Sequence, residues 1–315
     1  MNILDQKQVF QKLSSLNDIR KFGAMYSSLY GGIVKDPALM VIPMDEHLVH
    51  RGDGVFEAIR FNEKSIYLLK PHLDRLYVSA EKIDLKMPIS KGELENICLE
   101  VRKHSEIKVG MLRLYIGRGP GDFSANPYST IGSQIYVIAT DFKPMSQEKY
   151  SRGVSIMCSQ IPVKPSPYSQ IKSCNYLQNV LMKKESIDES VDFSIGVTDK
   201  GLIAEGSTEN IMIFTKNGEL CAPKFDYTLR GTTLLRAMEL ARKAQNQYKI
   251  SKIEVRDISV LQMYDAQEIM MVGTTLAVLP VTRIKKGSEF ISVGDGRPGL
   301  LSGELNRLVL EDMTE

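Results

Sequence analysis

The chain has 315 residues, of which 43% are hydrophobic and 25% charged, and its formal net charge is +2. The length favours two domains, and no segment approaches the about 20 apolar residues of a membrane span. The balanced charge lacks the long basic runs of a nucleic-acid-binding protein. We therefore expect a globular protein with neither nucleic acid nor membrane as a partner.

The N-terminal segment, MNILDQKQVFQKL, mixes charged and apolar residues and lacks the continuous apolar stretch that a signal peptide needs. We interpret residues 1–22 as a helical arm that precedes the first domain. A cytoplasmic location is the expectation that goes with this pattern.

Metal and disulfide chemistry have little support in the sequence. Of the histidines, His47 and His50 could be arranged with Asp53 around a metal, but no HExxH pair is present, and we expect no metal site. The cysteines form no CxxC pair and are expected to be free thiols. They are Cys98, Cys158, Cys174 and Cys221.

Apolar, β-branched runs bounded by turn residues predict strands along most of the chain. They lie near residues 38–43, 54–61, 65–69, 111–117, 134–140, 153–159, 193–198, 210–215, 268–272 and 276–283.

Helical spacing appears between these strands. The apolar residues Leu73, Leu76, Tyr77, Ala80 and Ile83 recur at helical intervals, shortly after Pro71. A second helix is predicted to begin at a capping box formed by Ser90 and Glu93. Further helices are predicted at 175–188, 232–246 and 301–312.

The polar, proline-containing segment DFKPMSQEKYSRG is the best candidate for a linker. We therefore predict a domain at 23–143, a linker at 144–152 and a second domain at 153–315.

Three glycine-hydroxyl steps offer close backbone approach together with hydroxyl donors. They are Gly206-Ser207-Thr208, Gly231-Thr232-Thr233 and Gly273-Thr274-Thr275. The second step precedes a predicted helix, whose N-terminus suits a phosphate dianion. An ordinary turn or helix cap explains each step taken alone.

Three charged residues remain open when judged from the residues alone. Arg75 has the position of a solvated surface arginine, and Glu205 has the position of a residue that caps a turn. Neither spacing nor periodicity distinguishes Lys172 from the other lysines.

Six sequence blocks resemble, in order, the signatures of class IV (fold-type IV) aminotransferases, the family of the branched-chain and D-amino-acid aminotransferases. They are HRGDGVFEAIR (50–60), HLDRLYVSAEKI (72–83), IKSCNYLQNVLMKKES (171–186), LIAEGSTENIMIF (202–214), TLRGTTL (228–234) and VGTTLAVLPV (272–281). The resemblance extends from about residue 38 to residue 312.

The resemblance implies pyridoxal 5′-phosphate as the cofactor. Lys172 matches the lysine that bears the cofactor and carries a proton during catalysis. Glu205 matches the carboxylate at the pyridine nitrogen, and Arg75 matches the phosphate-binding arginine. The other implied cofactor-binding residues are Ser207, Thr208, Thr232, Thr233 and Thr274. Tyr176 either contacts the cofactor's ring oxygen or packs in the core.

Substrate choice is open within the family. Arg51, in the RGDGVFE stretch, resembles the D-amino-acid type and could pair with a substrate carboxylate. The GPGDF sequence after Arg118 resembles plant-type D-amino-acid transaminases, and the Arg/His carboxylate trap of the Bacillus-type enzymes is missing. Phe56, Arg118 and Thr275 complete the predicted substrate-binding residues.

We expect transamination of a D-amino acid with a 2-oxo acid. The alternatives are a branched-chain L-amino-acid aminotransferase, an aminodeoxychorismate lyase and a non-catalytic protein that binds pyridoxal phosphate. The resemblance also implies the fold: an α+β protein with a small α/β domain and a larger β-barrel-like domain with flanking helices, with the cofactor in the interdomain cleft. A homodimer is expected.

Overall fold

The computed structural model describes residues 1–17 and 21–314. The chain divides into two compact units, Met1–Lys143 with Lys172–Asn175, and Pro144–Ile171 with Tyr176–Glu315. Residues 144–152, predicted as a linker, lie at the start of the second unit and include a short helix at Gln147–Arg152.

The first unit is built on a five-stranded antiparallel sheet in the order β2-β1-β5-β4-β3. Its strands are β1 (Phe22–Ser27), β2 (Gly32–Val34), β3 (Gly54–Phe61), β4 (Gly110–Gly117) and β5 (Gln134–Asp141). Along β3, alternate residues from Val55 to Phe61 are buried. Since β3 lies at the edge of the sheet, one side of this strand can pair with another segment.

Four α-helices belong to the first unit: α1 (Gln6–Ser14), α2 (His47–His50), α3 (Leu69–Glu81) and α4 (Lys91–Ser105). Helix α3 packs on β3, and α4 packs on β1 and β5, so that both bury their apolar faces against the sheet. The capping box of Ser90 and Glu93 is present at the start of α4, as the sequence predicts.

The second unit contains a nine-stranded mixed sheet, in which β14 pairs with β13 beside the path β11-β10-β9-β12-β13-β6-β7-β8. The strands are β6 (Val154–Cys158), β7 (Phe193–Val197), β8 (Ile203–Gly206), β9 (Asn210–Phe214), β10 (Glu219–Pro223), β11 (Lys252–Arg256), β12 (Glu268–Gly273), β13 (Ala277–Lys286) and β14 (Glu289–Ser292). Buried apolar residues of β6, β9, β12 and β13 form half of its core.

The helices of the second unit are α5 (Gln147–Arg152), α6 (Leu177–Asp188), α7 (Thr232–Ala244), α8 (Val260–Tyr264) and α9 (Leu300–Asp312). The three longest coincide with the helices predicted at 175–188, 232–246 and 301–312. Within the described part of the chain, no helix combines the length and the apolar character needed to cross a membrane.

Two predicted strands are wrong. Residues 38–43 begin inside a short 3-10 helix, Pro37–Leu39, that Asp36 caps, and continue without forming a strand. Residues 65–69 contain only an isolated bridge from Ile66, because Leu68 adopts a left-handed conformation (φ 53°) at the start of α3. Six further strands, β1, β2, β8, β10, β11 and β14, were not predicted from the sequence. The predicted arm, residues 1–22, includes α1, and its residues 18–20 lie outside the described residues.

Candidate active site

Lys172 lies on a segment that extends the sheet of the first unit. Its carbonyl oxygen accepts a hydrogen bond from the backbone N–H of Phe56 at 2.9 Å. The N–H of Cys174 donates to the carbonyl oxygen of Gly54 at 2.8 Å. The segment therefore pairs with the free edge of β3, which fixes the backbone of Lys172 although it is distant from β3 in sequence.

The side chain of Lys172 is half-buried beside an aromatic pair. Its Nζ lies 4.6 Å from the centre of the Phe56 ring, and that ring stacks on Tyr115 with the centroids 6.0 Å apart. A cation over a ring face is attracted by the ring quadrupole. Phe56, predicted to bind substrate, thus contacts the predicted catalytic amine.

Arg75, predicted to bind phosphate, is held by a fully buried carboxylate. Its Nε and Nη2 donate to the two oxygens of Glu57, both at 2.7 Å. His72 Nδ1 lies 2.7 Å from the same carboxylate. Only 13% of the Arg75 side chain is exposed, so the alternative of a solvated surface arginine is wrong.

Burial raises the pKa of Glu57, but the charges and hydrogen bonds of Arg75 and His72 outweigh it and hold the pKa at about 2. Burial lowers the pKa of His72 against the opposing effect of Glu57. The cluster therefore consists of a carboxylate, a guanidinium and a neutral imidazole near neutral pH.

In the second unit, the start of α7 and the turn after β12 bring hydroxyls together. Thr233 Oγ1 lies 3.4 Å from Thr274 Oγ1, and both Thr232 and Thr233 are buried. Among the described residues, no side chain caps the N-terminus of α7 at Gly231. Hydroxyls beside the first N–H groups of a helix form a donor set suited to an anion.

Glu205, on β8, is oriented by two donors of its own unit. Its Oε2 accepts from the N–H of Leu229 at 2.9 Å and from Nδ2 of Asn210 at 3.2 Å. The amine of Lys164 lies near this carboxylate: burial lowers its pKa, and the charge of Glu205 partly opposes that effect. Its Nζ lies 5.2 Å from the centre of the Tyr176 ring.

Ser207 and Thr208 contact the buried Glu209. The N–H of Thr208 donates to Glu209 Oε2 at 3.0 Å, and both hydroxyls also approach this carboxylate. Nδ2 of Asn179 donates to the carbonyl oxygen of Ser207 at 2.7 Å. The turn after β8 is therefore held from two sides.

The remaining predicted substrate-binding residues differ in their exposure and in the groups that they contact. Arg51 is exposed, and its guanidinium donates to the carbonyl oxygens of His50 and Phe123. Arg118 forms a bidentate ion pair with Asp53 at 2.9 and 3.0 Å and also donates to two carbonyl oxygens. Thr275 is exposed in the turn before β13. Arg51 thus has more room than Arg118 to reorient toward a substrate.

The only described group with metal-ligand spacing is Glu219, Cys221 and Glu254. Arg256 forms ion pairs with both of its carboxylates and Lys252 pairs with Glu254, so two cations balance the two carboxylates without a metal. The four cysteines are free thiols.

A family model described as amino-transferase class IV matches residues 54–284. The chain belongs to the class IV aminotransferases. This aminotransferase is 35% identical to a D-amino-acid transaminase, chloroplastic, of Arabidopsis thaliana over 99% of this chain and 82% of the relative. It is 31% identical to a putative branched-chain-amino-acid aminotransferase of Methanocaldococcus jannaschii, over 81% of this chain and 86% of that protein.

Among solved structures, the aminotransferase is similar to a T.th. branched-chain amino acid aminotransferase with pyridoxamine 5′-phosphate. The TM-score is 0.84 at 25% identity, with 93% of this chain and 94% of that chain covered. The likeness confirms the expected fold, a mixed α/β architecture with a curled sheet and flanking helices.

The cofactor of class IV aminotransferases is pyridoxal 5′-phosphate, and the residues present fit it. A half-buried amine, a carboxylate oriented by two donors and a hydroxyl-lined helix N-terminus are the chemical groups that such a cofactor needs. The expected family, enzyme class and cofactor are confirmed.

Four residues beside the predicted ones were not predicted from the sequence. Glu57, His72 and Asn210 form the hydrogen bonds described above, and Lys164 lies near Glu205 and Tyr176. A signal existed for two of them. Glu57 is a charged residue at a buried position of an alternating strand, and His72 precedes Arg75 by three residues on one helical face. No comparable pattern marks Lys164 or Asn210.

Proposed function

We propose that this aminotransferase transfers the amino group of a D-amino acid, such as D-alanine, to a 2-oxo acid. The observation that carries the proposal is the similarity to a D-amino-acid transaminase over almost the entire chain. The GPGDF sequence, which resembles the plant-type enzymes, supports the same choice. Cytoplasmic location stays a prediction.

Lys172 is the proposed catalytic residue. When bound, pyridoxal 5′-phosphate supplies an electron-withdrawing ring that acidifies the Cα–H of the amino acid. The Nζ amine of Lys172 would hold the cofactor and, as a free amine, would take the proton from Cα as a general base. Because Phe56 and the pairing with β3 hold this side chain and its backbone, the amine has a restricted range of positions.

Glu205 is proposed to hold a proton on the pyridine nitrogen. A carboxylate next to a basic nitrogen raises the pKa of that nitrogen, because it stabilises the protonated form. Asn210 and the N–H of Leu229 orient Glu205 for this role. Tyr176 is a candidate partner of the cofactor's ring oxygen.

The phosphate is proposed to bind to Arg75 and to the hydroxyl and N–H groups of Thr232, Thr233 and Thr274. Arginine provides charge and directed donors, and the N-terminus of α7 provides a positive dipole end. Ser207 and Thr208 are proposed to line the cofactor through the turn after β8.

Substrate recognition is proposed for Arg51, with Phe56 and Thr275 as further substrate-binding residues. An exposed guanidinium that donates only to carbonyl oxygens can exchange them for a carboxylate, which is the stronger acceptor. Arg118, whose pair with Asp53 is bidentate, is the less favoured of the two predicted arginines.

A branched-chain L-amino-acid aminotransferase is the second candidate. It is favoured by the archaeal relative and by the similarity to the solved T.th. branched-chain enzyme. The aminodeoxychorismate lyase and the non-catalytic alternative share the cofactor groups, so only turnover separates them from the transaminases.

The test is a panel in which the purified holoenzyme is incubated with D-alanine, L-alanine or L-leucine, each with 2-oxoglutarate, and separately with aminodeoxychorismate. The proposal predicts pyruvate and D-glutamate from D-alanine. Preferential use of L-leucine would establish the second candidate. Pyruvate released from aminodeoxychorismate without a 2-oxo acid would indicate the lyase, and a lack of turnover with every substrate would favour the non-catalytic alternative.

We also propose a homodimer. Helix α6 exposes Leu177, Val180 and Leu181 at helical spacing, with 65%, 58% and 39% of each residue accessible. An apolar stripe of this kind is typical of a surface that a second copy covers. Light scattering should give twice the mass of the 35.4 kDa chain, and a monomer at micromolar concentration would contradict the proposal.

A further inference from the structure

The first unit contains an ion pair whose location stability alone does not explain. Glu57 is fully buried on β3, among alternating apolar residues that face the helices. Replacing a buried ion pair by apolar residues of similar size is often neutral or stabilising. A carboxylate retained at such a position therefore suggests a role beyond holding the fold together.

The geometry of the pair indicates what that role is. The carboxylate of Glu57 accepts hydrogen bonds from Nε and Nη2 of Arg75. These two parallel bonds fix the plane and the direction of the guanidinium. The carboxylate is inaccessible, whereas 13% of the Arg75 side chain is exposed, so the arginine and not the carboxylate is the member of the pair that can be reached from outside. An oriented guanidinium edge is suited to a dianion such as a phosphate.

His72 fixes the carboxylate in turn. Its Nδ1 lies 2.7 Å from Glu57 Oε2, and His72 is completely buried. As a neutral imidazole it donates Nδ1–H without adding a charge. The chain of contacts thus runs from His72 through Glu57 to Arg75.

We propose that Glu57 is a positioning residue, held by His72, that orients Arg75 toward the phosphate of the cofactor. The inference rests on the proposed function, in which Arg75 binds that phosphate. Glu57 acts by fixing the orientation of the Arg75 guanidinium. Its charge does not favour phosphate binding, because a negative charge next to the arginine opposes the binding of an anion.

The experiment separates orientation from charge. Glu57→Asp keeps the charge and shortens the side chain by one methylene, whereas Glu57→Gln keeps the shape and removes the charge. The apoenzyme is titrated with pyridoxal 5′-phosphate and, separately, with pyridoxal, which lacks the phosphate. Arg75→Ala and the double variant with Glu57→Asp complete a mutant cycle.

We expect Glu57→Asp to weaken the binding of pyridoxal 5′-phosphate by about 10-fold, as loss of an orienting partner commonly does. Pyridoxal binding should change little, and Glu57→Asp should have no further effect in the Arg75→Ala background. Glu46 provides a matched control, because it is also a fully buried carboxylate and accepts hydrogen bonds from Gly119 and Tyr136. Glu46→Asp should lower the melting temperature without selective loss of the phosphorylated ligand.

Two results overturn the inference, and a third refutes the proposed function on which it rests. Unchanged affinity in Glu57→Asp with tighter binding in Glu57→Gln would show that only charge matters. Equal losses with and without Arg75 would show a purely structural role. Undiminished binding in Arg75→Ala would instead refute the phosphate role of Arg75 in the proposed function.

If Glu57→Asp does not fold, His72→Phe takes its place, because it removes one donor to the carboxylate and keeps a ring. His72→Asn, which retains a donor near the position of Nδ1, should restore the affinity. The inference is supported if His72→Phe loses affinity for pyridoxal 5′-phosphate and His72→Asn regains it. Equal affinities of the two variants overturn it.

Discussion

Acid should lower the free energy of unfolding through protonation of Glu57, and the variant Glu57→Gln measures this effect separately from the other carboxyl groups. The pKa of this carboxyl is about 2 in the folded protein against an ordinary value of 4.5. Each unit of difference corresponds to about 1.4 kcal/mol, so near neutral pH the ionised form of Glu57 stabilises the fold by about 3 kcal/mol relative to the protonated form at the same buried position. Glu57→Gln mimics the protonated form and should lose this contribution.

The sign follows from proton binding. A depressed folded-state pKa means that the contribution is complete above pH 4.5 and is lost as the pH falls toward 2, because the unfolded chain takes up the proton first. Urea unfolding of the apoenzyme, followed by circular dichroism, should show a difference of about 3 kcal/mol between wild type and Glu57→Gln at pH 7. This difference in unfolding free energy between wild type and Glu57→Gln should decrease steadily below pH 4.5. A gap that is the same at pH 7 and pH 3 would refute the reasoning.

Other perturbations test the remaining parts of the site. Glu205→Gln should retain pyridoxal 5′-phosphate, seen by its absorbance, while kcat falls by about 100-fold; unchanged kcat would contradict the role. Gly231→Ala would make a Cβ collide with Asn210 Oδ1 and should destabilise the protein by about 1–3 kcal/mol, whereas Gly303→Ala meets nothing within 4 Å and should not; equal melting temperatures would argue against the clash. Because burial lowers the pKa of His72, wild type should lose more stability than His72→Asn as the pH falls below 6.5, and parallel unfolding curves would disprove this.

Local patterns in the sequence were sufficient for much of the fold. The alternation in β3 and the capping box at Ser90 depend on neighbouring residues, so they could be predicted from short windows. Strands such as β1, FGAMYS, and β10, ELCAP, lack a strong apolar signal and exist because of their partners in the sheet. The strand predicted at 38–43 failed because Pro37 and its cap start a 3-10 turn there.

The site was predictable only in part, because many of its contacts join residues that are distant in the sequence. The glycine-hydroxyl steps indicated an anion site, but composition gave no means of selecting Lys172. Its backbone is fixed by β3 and its amine by Phe56, contacts that join distant parts of the chain. The bond from Glu57 to Arg75 likewise connects a strand to a helix, so residue spacing alone does not reveal it.

The most direct test of the account is to find which lysine bears the cofactor. The protein is loaded with pyridoxal 5′-phosphate, reduced with borohydride, digested and analysed by mass spectrometry. We expect the label on Lys172, and we expect Lys172→Ala to have neither the label nor turnover. Labelling at Lys164, the partly buried lysine near Glu205, with Lys172 unmodified, would contradict it.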